Sequence, residues 1–437
     1  MIVVGAGLAG CEAAYQLAKR GVKVRLMDMK PERFTPAHKS TDFAELVCSN
    51  SLKGNALDNA CGLLKEEMRR MDSVIIKTAD LVSVPAGGAL AVDREKFSAL
   101  VTEKIRENEN IEIISGEAEK IPEDDCVIIA TGPLTDGALL EDIKSFAGGA
   151  LSFYDAAAPL VSKDSIDMSR AYFKSRYDKG TPDYINCPMT KEEYEAFYEA
   201  LVTAECAPLK EEIEKPSVFE GCMPVEVMAK RGRDTLLFGP LKPVGLENPE
   251  TGERYHAVVQ LRRDNAEGTV YNMVGFQTNL KFGEQKRVFS MIGGLSQAEF
   301  LRYGVMHRNT FLCAPLVLNK DYSAKMRENL FFAGQITGVE GYVESALSGL
   351  IAGLNAYLYL KAPGEKFILP PSTMSGALAD YITSADEKHF QPVNANFGIL
   401  SHSFSKVRNK KEKYALAAKE ALENLENEIN SKKGLLF

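Results

Sequence analysis

Short apolar runs at the start of the chain flank one helical stretch. Residues 1–4 (MIVV) are apolar without interruption, which predicts a short buried strand. Residues 5–21 carry a glycine turn and then apolar positions at helical spacing, and they predict a helix of about three turns that ends at Gly21. Residues 22–28 (VKVRLMD) predict a second strand. The chain therefore opens with a β-α-β unit.

The turn before this helix has glycines at positions 5, 7 and 10, the spacing G-x-G-x-x-G. In that motif the first glycine makes a tight turn, the second lets the backbone approach a pyrophosphate, and the third lets helix and strand pack closely. The first amides of the helix then bind the phosphates. Asp28 closes the second strand, where an acid that binds a ribose is expected. This context predicts dinucleotide binding by Gly5, Ala6, Gly7, Leu8, Ala9, Gly10 and Asp28.

Two further stretches have the period of an amphipathic helix. Between residues 57 and 72, apolar side chains recur at spacings of four and three, which predicts one buried helix face formed by Leu57, Cys61, Leu64, Met68 and Met71. Residues 407–433 predict a C-terminal helix with Leu422, Leu425 and Ile429 facing inward. Its strongly basic start (KVRNKKEK) has the composition of a solvated helix face.

The middle of the chain has a different pattern. Strand-like runs such as AVVQLRR and TVYNMVGFQTNL alternate there with a helical stretch, KEEYEAFYEALVTAE, and with proline-rich turns. Residues 329–353 then return to a strand, a glycine turn and a helix of small residues. We therefore predict an α/β fold in which a Rossmann-like dinucleotide-binding domain is discontinuous, at residues 1–155 and 320–437. Residues 156–319 are predicted to form an inserted α+β domain that binds substrate or RNA.

The composition argues against several classes of protein, namely disordered, generally nucleic-acid-binding, secreted, membrane-spanning and metal-binding ones. The 437 residues are 45% hydrophobic and 26% charged, as in ordinary globular proteins. The net charge of −8 excludes a generally basic surface, so any RNA contact needs a local basic patch. We expect no signal peptide and no membrane span, because the longest apolar runs are too short. The eight cysteines form no CxxC pair and the five histidines lack ligand spacing, which predicts no disulfide framework, no metal site and a reducing cytoplasm.

The number of glycine motifs separates classes of flavoenzyme. A reductase that holds FAD and NAD(P)H on separate Rossmann domains would be expected to show two G-x-G-x-x-G motifs, and this chain has one. A redox-active disulfide would need two cysteines a few residues apart after the first β-α-β unit. Cys48 and Cys61 are too far apart, and Cys61 lies on a predicted helix face. A pyridine nucleotide–disulfide reductase is therefore disfavoured.

Long motifs along residues 1–398 resemble the family of folate- and FAD-dependent tRNA (uracil-5-)-methyltransferases. They are GAGLAGCEAA, ELVCSNSLKG, VPAGGALAVDR, ATGPLT, FYDAAAPLV, FEGCMPVE, VVQLRRDN, VGFQTNLK, YGVMHRNT and FFAGQITGVEGYVESALSGL. The resemblance implies a FAD-binding domain of the glutathione reductase type with an insertion. Two departures are visible: the family usually has glutamate where Asp28 stands, and the sequence after NFGIL lacks the expected proline.

The resemblance also implies an activity. The family transfers carbon from 5,10-methylenetetrahydrofolate, with FAD reduced by NADH or NADPH, and forms 5-methyluridine in the T loop of tRNA. Further FAD-binding residues would be Gly132, Gln335 and the glycines of the second segment, Gly334, Gly338 and Gly341. Cys222 falls on the thiol that attacks C6 of the uracil, and Cys48 on a second thiol beside the flavin, a candidate for handling the C5 proton.

The residues around the two cysteines bear on these roles. Pro224 suits the first position of a short helix and Gly232 suits its end, so Cys222 would precede a helix N-terminus, where the dipole favours a thiolate. The alternative for Cys222 is a buried packing residue. Cys48 lies in the polar, turn-forming segment VCSNSLKG, which is unusual for a core cysteine. Cys11, Cys61 and Cys126 lie in apolar segments and are expected to pack in the core.

An RNA substrate would have to be bound by separated basic clusters, several of them in the predicted insertion. A T-loop uridine would also have to be extruded from its stack. His307 is either a substrate or flavin contact or a structural histidine. Three alternatives remain: the same chemistry on ribosomal RNA, a wobble-uridine-modifying FAD protein, and a flavoprotein that only binds RNA. No obligate protein partner is evident. The candidate RNA-binding residues are Lys230, Arg231, Arg233, Arg262, Arg263, Lys286, Arg287 and Arg308.

Overall fold

The computed structural model of the chain describes residues 1–148, 150–156, 158–208, 223–265, 267–387, 390–404 and 406–437. In these ranges the strands are β1 (Ile2–Val4), β2 (Val24–Asp28), β3 (Ser51–Gly54), β4 (Ser83–Val84), β5 (Ala89–Val92), β6 (Ile111–Ser115), β7 (Val127–Ile129), β8 (Ala150–Ala156), β9 (Leu160–Ser162), β10 (Tyr172–Phe173), β11 (Tyr184–Met189), β12 (Ala257–Arg263), β13 (Val270–Met273), β14 (Phe300–Arg302), β15 (Met306–Leu312), β16 (Ser323–Ala324) and β17 (Arg327–Phe332).

The α-helices of the same ranges follow in chain order. They are α1 (Leu8–Lys19), α2 (Ala60–Arg70), α3 (Val74–Leu81), α4 (Arg94–Arg106), α5 (Gly137–Ala147), α6 (Lys191–Val202), α7 (Val225–Lys230), α8 (Thr235–Phe238), α9 (Phe282–Phe289), α10 (Ala314–Val317), α11 (Tyr342–Lys361), α12 (Met374–Ser384) and α13 (Lys410–Ser431). Among the described helices, none is both long and apolar enough to cross a membrane.

A mixed sheet combines strands from both ends of the chain. Its order is β16-β17-β7-β1-β2-β6, and every neighbouring pair from β17 to β6 is parallel. β1 and β7 are buried along their whole length, as expected for apolar runs in a parallel sheet that is covered on both faces. Since β7 pairs directly with β17, segments almost 200 residues apart share one sheet.

The contact between α1 and α11 fixes the direction of the first helix. A Cβ on Gly349 would lie 2.1 Å from the carbonyl oxygen of Ala9, and one on Gly353 would lie 3.0 Å from the Cα of Ala13. Glycine at these positions therefore lets the two helix backbones touch. Because α1 directly follows the glycine turn, this packing also fixes the position of its N-terminus against β1.

A second sheet, antiparallel in all its described strand pairs, lies between residues 160 and 302, inside the segment predicted as an insertion. Its order is β10-β11-β12-β13-β9-β14. The predicted strand AVVQLRR is β12, and the predicted helix is α6. Thr190 starts that helix with a capping box, since its hydroxyl accepts from the Glu193 amide while the Glu193 carboxylate accepts from the Thr190 amide. The apolar face of α6 packs on its own core cluster.

Two smaller sheets connect the larger ones. β8 and β15 pair antiparallel, so the chain leaves the first sheet and returns to it along one two-stranded ribbon. The three-stranded sheet β3-β5-β4 follows the first β-α-β unit. Its β4–β5 turn meets the second sheet, because the Gly87 amide donates to the Asp183 carboxylate at 2.9 Å and the Tyr184 hydroxyl donates to the Ala86 carbonyl at 3.3 Å.

The first predicted amphipathic helix needs a correction. α2 begins at Ala60, because Asn59 caps it by accepting from the amides of Cys61 and Gly62. Leu57 therefore lies outside the helix and is 44% exposed, although the period placed it on the buried face. The other residues predicted for that face, Cys61, Leu64, Met68 and Met71, are buried.

The predicted C-terminal helix is present as α13. It begins at Lys410, where Asn409 accepts from the amides of Lys411 and Glu412. Leu422 and Leu425 are buried as predicted, and Ile429 is partly buried against the same core.

Candidate active site and cofactor cavity

The glycine turn before α1 has the geometry that its spacing predicts. Gly5 has a φ of +100°, and a Cβ there would lie 2.5 Å from the carbonyl oxygen of Ala130. A Cβ on Gly10 would lie 1.7 Å from the carbonyl oxygen of Gly5. Gly5 is thus required by backbone conformation and crowding, and Gly10 by the close packing of the helix on the turn.

Gly7 differs because a Cβ there would have no atom within 4 Å. It caps α1 and lies on the wall of a cavity of about 1260 Å³, mouth included. The first amides of a helix have no partner within the helix, so this wall can bind an anion. Nine of the twelve predicted cofactor-binding residues line the cavity: Gly5, Ala6, Gly7, Leu8, Ala9, Asp28, Gly132, Gly334 and Gln335.

The other three predicted residues are not among those that line the cavity. Gly10 packs α1 on its turn. Gly338 has a φ of +87°, and a Cβ there would lie 2.5 Å from the ring of Phe390. Gly341 has a φ of +120° and precedes α11, with the Lys53 ammonium 2.9 Å from the position of a Cβ. These glycines therefore permit the turns of the second segment.

Asp28 braces the glycine turn as well as lining the cavity. One carboxylate oxygen accepts from the amide of Ala6 at 2.6 Å, and the other accepts from the amide of Lys30 at 2.9 Å. These two bonds fix the carboxylate on the cavity wall at the end of β2, where the sequence predicts the ribose-binding acid.

The cavity fits flavin adenine dinucleotide. Its lining combines the carboxylate of Asp28, the open surface of Gly7, Gln335 and, at the start of α11, Tyr342 and Ser345. A long dinucleotide needs these features in one cavity: an acid for the ribose, a backbone cradle for the pyrophosphate, and room for the rest of the molecule. Gly7, Gly334 and Gln335 would hold the cofactor chiefly through backbone.

Cys48 adjoins this cavity through Tyr342. The tyrosine is the first residue of α11, and its hydroxyl oxygen lies 2.9 Å from the Cys48 Sγ. The same oxygen accepts from the amide of Cys48 at 2.8 Å and from the amide of Ser49 at 3.2 Å. Three groups of the loop that carries the thiol, two amides and the sulfur, therefore contact the same Tyr342 hydroxyl.

Arg262, which the sequence predicts to bind RNA, has a different environment in the structure. Its half-buried guanidinium donates to the Ser49 hydroxyl at 2.6 Å and to the Asn50 side-chain oxygen at 3.2 Å. The Asn50 amide donates in turn to the backbone carbonyls of Val92 and Arg263, both at 2.9 Å. β12 is thus tied to the Cys48 loop, and Arg262 lies beside the residue that carries the thiol.

Three charged residues that the sequence did not indicate complete this environment. The Arg94 guanidinium pairs with the Asp264 carboxylate at 2.8 Å, and both side chains are largely buried. Arg302, from β14, interacts electrostatically with Arg94, Asp264, Tyr342 and Cys48. Burial lowers the pKa of Arg302 to about 10, so it remains a cation at neutral pH. Arg94 and Asp264 lie within the motifs VPAGGALAVDR and VVQLRRDN, and Arg302 lies outside the quoted motifs. None of the three received a role from the sequence, because only tertiary packing brings them together.

Most of the other predicted RNA-binding residues lie in or just after two helices: Lys230, Arg231 and Arg233 at the end of α7, and Lys286 and Arg287 in α9. Arg263 is the last residue of β12. Arg233 pairs with Glu199, and Arg287 pairs with Glu284 at 2.6 Å, so part of this basic charge is neutralised. The side chain of Arg308, like that of His307, lies outside what the structure describes. An RNA-binding role stays a prediction for all eight residues: Lys230, Arg231, Arg233, Arg262, Arg263, Lys286, Arg287 and Arg308.

Cys222 lies in residues 209–222, outside the described part of the chain. The short helix predicted after it is present as α7, with Pro224 as its N-cap and the first helical position at Val225. Gly232, predicted at the end of this helix, has a φ of +156° and follows the C-cap. The local secondary structure next to Cys222 is therefore close to the prediction, and the role of its thiol stays a prediction.

The cysteines predicted to pack in the core do so. Cys11, Cys61 and Cys126 are buried. Burial raises the pKa of the Cys61 and Cys126 thiols to about 12 and that of Cys11 still further, so all three are protonated and unreactive at neutral pH. Among the residues that the structure describes, no group of histidine, cysteine, aspartate and glutamate could hold a metal ion.

The parallel sheet, the glycine turn and the extended cavity define a dinucleotide-binding flavoprotein fold. The model of the GIDA family, described as "Glucose inhibited division protein A", matches residues 1–363. A methylenetetrahydrofolate--tRNA-(uracil-5-)-methyltransferase TrmFO from Bacillus pumilus is 60% identical over 97% of both chains. One from Acetivibrio thermocellus is 58% identical over 98% of both. The chain belongs to the GIDA family and, within it, to the TrmFO group, which confirms the resemblance drawn from the motifs.

A solved structure shows the same fold at much lower identity. Aquifex aeolicus GidA superposes with a TM-score of 0.69 at 17% identity, covering 99% of this chain and 75% of that one. A second crystal form of the same protein gives a TM-score of 0.68. The predicted Rossmann-like α/β fold of a FAD-binding protein is therefore confirmed.

Proposed function

We propose that this chain methylates C5 of a uridine in the T loop of tRNA, with the carbon taken from 5,10-methylenetetrahydrofolate. The observation that carries the proposal is the identity of about 60%, over nearly the whole of both chains, to proteins named as methylenetetrahydrofolate--tRNA-(uracil-5-)-methyltransferases. The T-loop position is part of the proposal and rests on the family resemblance of the motifs. The cavity supports it, because its wall suits FAD and includes Tyr342, which contacts a thiol.

The chemistry explains why thiols are needed. C5 of uracil is a poor nucleophile until a group adds at C6, and a thiolate both adds and leaves readily. In the proposed reaction the Cys222 sulfur bonds to C6, and the electron pair of the ring double bond attacks the donor carbon from C5. A base then removes the C5 proton. The electrons of that C–H bond form a double bond from C5 to the transferred carbon and expel the donor nitrogen to which that carbon was bound. Hydride then adds to this carbon to complete the methyl group, and the returning electrons restore the C5–C6 double bond and expel the sulfur.

Cys48 is the proposed acceptor of the C5 proton. Its contact with Tyr342, which lines the cofactor cavity, would place it close to a uracil ring that reacts beside the flavin. Bound in the cavity, FAD reduced by NADH or NADPH would supply the two electrons that bring the carbon from the methylene to the methyl level. These nicotinamide cofactors belong to the proposal, together with a cytoplasmic location.

The first test follows the carbon. Purified protein would be incubated without oxygen with FAD, NADH, labelled methylenetetrahydrofolate and an unmodified tRNA transcript, and the digested nucleosides analysed by mass spectrometry. Label in 5-methyluridine is expected for the wild type and absent for Cys222→Ala and Cys48→Ala. Cys206→Ala is the matched control, because Cys206 is an exposed thiol of the same domain as α7 and should be dispensable.

Each alternative substrate gives a distinct result. Label that appears with ribosomal RNA and not with tRNA would move the proposal to the same chemistry on another RNA. Modification at a wobble uridine would favour a wobble-uridine-modifying enzyme. Flavin that NADH does not reduce, with no modified nucleoside, would contradict the enzymatic proposal. Methylation that survives in Cys222→Ala would leave the reaction and remove the role of that cysteine.

A further inference from the structure

Cys48 lies in a strongly cationic cluster. We use the term Cys48 cluster for Arg94 of α4, Arg262 and Asp264 at the end of β12, Arg302 of β14 and Tyr342 of α11. It contains three guanidinium groups and one carboxylate, and the electrostatic interactions of both Arg262 and Arg302 reach the Cys48 sulfur. The cluster therefore has an excess of positive charge around one thiol.

The other hydrogen bonds of Tyr342 decide whether its hydroxyl or the Cys48 thiol is the donor in the contact between the two side chains. A phenol oxygen has two lone pairs and one proton. Both lone pairs are used, because the oxygen accepts from the amides of Cys48 and Ser49. The remaining contact, 2.9 Å to the Cys48 Sγ, must use the phenol proton. The sulfur is thus the acceptor, and a thiolate is a much stronger acceptor than a thiol.

Tyr342 is suited to remain the donor. Burial, followed by the influence of Cys48, raises its pKa well above the usual value, so the phenol keeps its proton at neutral pH. Tyr184, which faces Arg262 from β11, is also held neutral, since burial raises its pKa. Neither phenol therefore cancels the positive charge of the three guanidinium groups.

Arg302 adds an independent observation. Its Nε and one terminal nitrogen are sealed from solvent and have no hydrogen-bond partner among the described residues. A buried cation without a counter-ion is costly, and Asp264 is already bonded to Arg94. A negative charge on the neighbouring sulfur would offset this cost, whereas a neutral thiol would not.

We propose that Cys48 rests as a thiolate, which the Tyr342 hydroxyl holds by hydrogen bonding and Arg262 and Arg302 stabilise by charge. The thiol proton goes to solvent when the site forms, and the phenol keeps its own. The inference deepens the proposed function, in which Cys48 accepts the C5 proton, because a group that removes a proton must begin without one. Arg302 is thereby a positioning residue, since it acts through the sulfur.

The test is a titration that needs neither RNA nor folate. The ultraviolet absorbance of thiolate is followed against pH in the FAD-bound protein, and the same curve for Cys48→Ser is subtracted. This difference reports Cys48 even if the cofactor shields it from reagents. An ordinary thiol titrates near 8.5, and we expect a midpoint below about 7 for Cys48.

The variants separate the cluster from general structure. Arg302→Gln and Tyr342→Phe, each measured against its own Cys48→Ser partner, should raise the midpoint by about one pH unit or more. Arg302→Lys, which keeps the charge, should restore most of the wild-type value. Arg170→Gln is the matched control, because this arginine forms an exposed ion pair with Glu193 in the same sheet region and should not shift the midpoint.

A midpoint near 8.5 in the wild type would overturn the proposal. So would a low midpoint that neither Arg302→Gln nor Tyr342→Phe changes. If Arg302→Gln fails to retain FAD, Tyr342→Phe decides, since it removes only the phenol oxygen. A low midpoint in a protein that makes no 5-methyluridine would leave the thiolate standing and count against the proposed function alone.

Discussion

Replacing Gly7 with alanine puts a methyl group at the edge of the cofactor cavity and leaves the surrounding protein in place. The added Cβ would have no atom within 4 Å, and the backbone angles of Gly7, φ −73° and ψ −172°, are ones that alanine adopts. Gly10→Ala is the matched comparison, because its Cβ would lie 1.7 Å from the carbonyl oxygen of Gly5. One substitution fills the space meant for the cofactor, and the other fills space occupied by backbone.

The two changes should have different energetic signatures. In Gly7→Ala the methyl group would hold a pyrophosphate away from the first amides of α1. The loss of one hydrogen bond to a charged group costs about 1.5–3 kcal/mol, which is about a 10- to 100-fold weaker FAD affinity. In Gly10→Ala the turn must move, and overpacking of this kind lowers the free energy of unfolding by about 1–3 kcal/mol.

Flavin fluorescence during titration of the apoprotein measures the FAD affinity, and urea unfolding of the apoprotein measures the stability. We expect Gly7→Ala to weaken FAD binding with an unchanged urea midpoint, and Gly10→Ala to lower that midpoint. Wild-type FAD affinity in Gly7→Ala would refute the placement of the pyrophosphate against Gly7. A lowered urea midpoint in Gly7→Ala would show that the space beside it is not open.

Two further predictions concern buried charge. Asp264→Asn leaves the Arg94 guanidinium without its carboxylate and should lower the free energy of unfolding by about 3 kcal/mol. Glu267→Gln, the control, breaks an exposed ion pair and should lower it by less than about 0.5 kcal/mol. Equal losses of the two variants in urea unfolding would contradict this. Burial raises the pKa of Glu67 to about 7, so between about pH 4.5 and 7 the native state binds more protons than the unfolded chain. The resulting stabilisation is complete at low pH and is lost as the pH rises through 7, so the free energy of unfolding should fall with pH in this range. Glu67→Gln should remove this fall when urea unfolding is measured at several pH values. An unchanged fall in the variant would assign it to other groups.

Patterns formed by near neighbours along the chain predicted most of the elements. The opening β-α-β unit, β12 and α11 follow from apolar period and glycine spacing, because both signals are local. The error at Leu57 is also local in origin. The apolar period continues back to Leu57, but the helix begins only at Ala60, because the Asn59 side chain accepts from the amides of Cys61 and Gly62. A capping side chain therefore outweighed the hydrophobic pattern.

The environment of Cys48 could not be predicted in this way. Arg262 and Arg302 are far from Cys48 in sequence, and their placement depends on how the second sheet rests against the first domain. The period of β12 shows that Arg262 and Arg263 point to opposite faces, yet not which face meets the Cys48 loop. A basic cluster on an inserted domain is equally consistent with an RNA surface, which is why the sequence assigned Arg262 to RNA.

The polar residues next to Cys48 in the sequence indicated a functional cysteine, and the structure shows what these residues do. The Ser49 hydroxyl accepts from the Ser51 amide at 3.1 Å and from Arg262 at 2.6 Å, so it shapes the turn and anchors the cation together. Asn50 is buried and uses both ends of its side chain, one to hold Arg262 and the other to hold two backbone carbonyls. Apolar residues at these two positions would leave Cys48 in the sequence and remove the groups that bring Arg262 to it. Ser49 and Asn50 therefore act on the charge of the Cys48 sulfur in the proposed thiolate, because they hold the Arg262 guanidinium beside it.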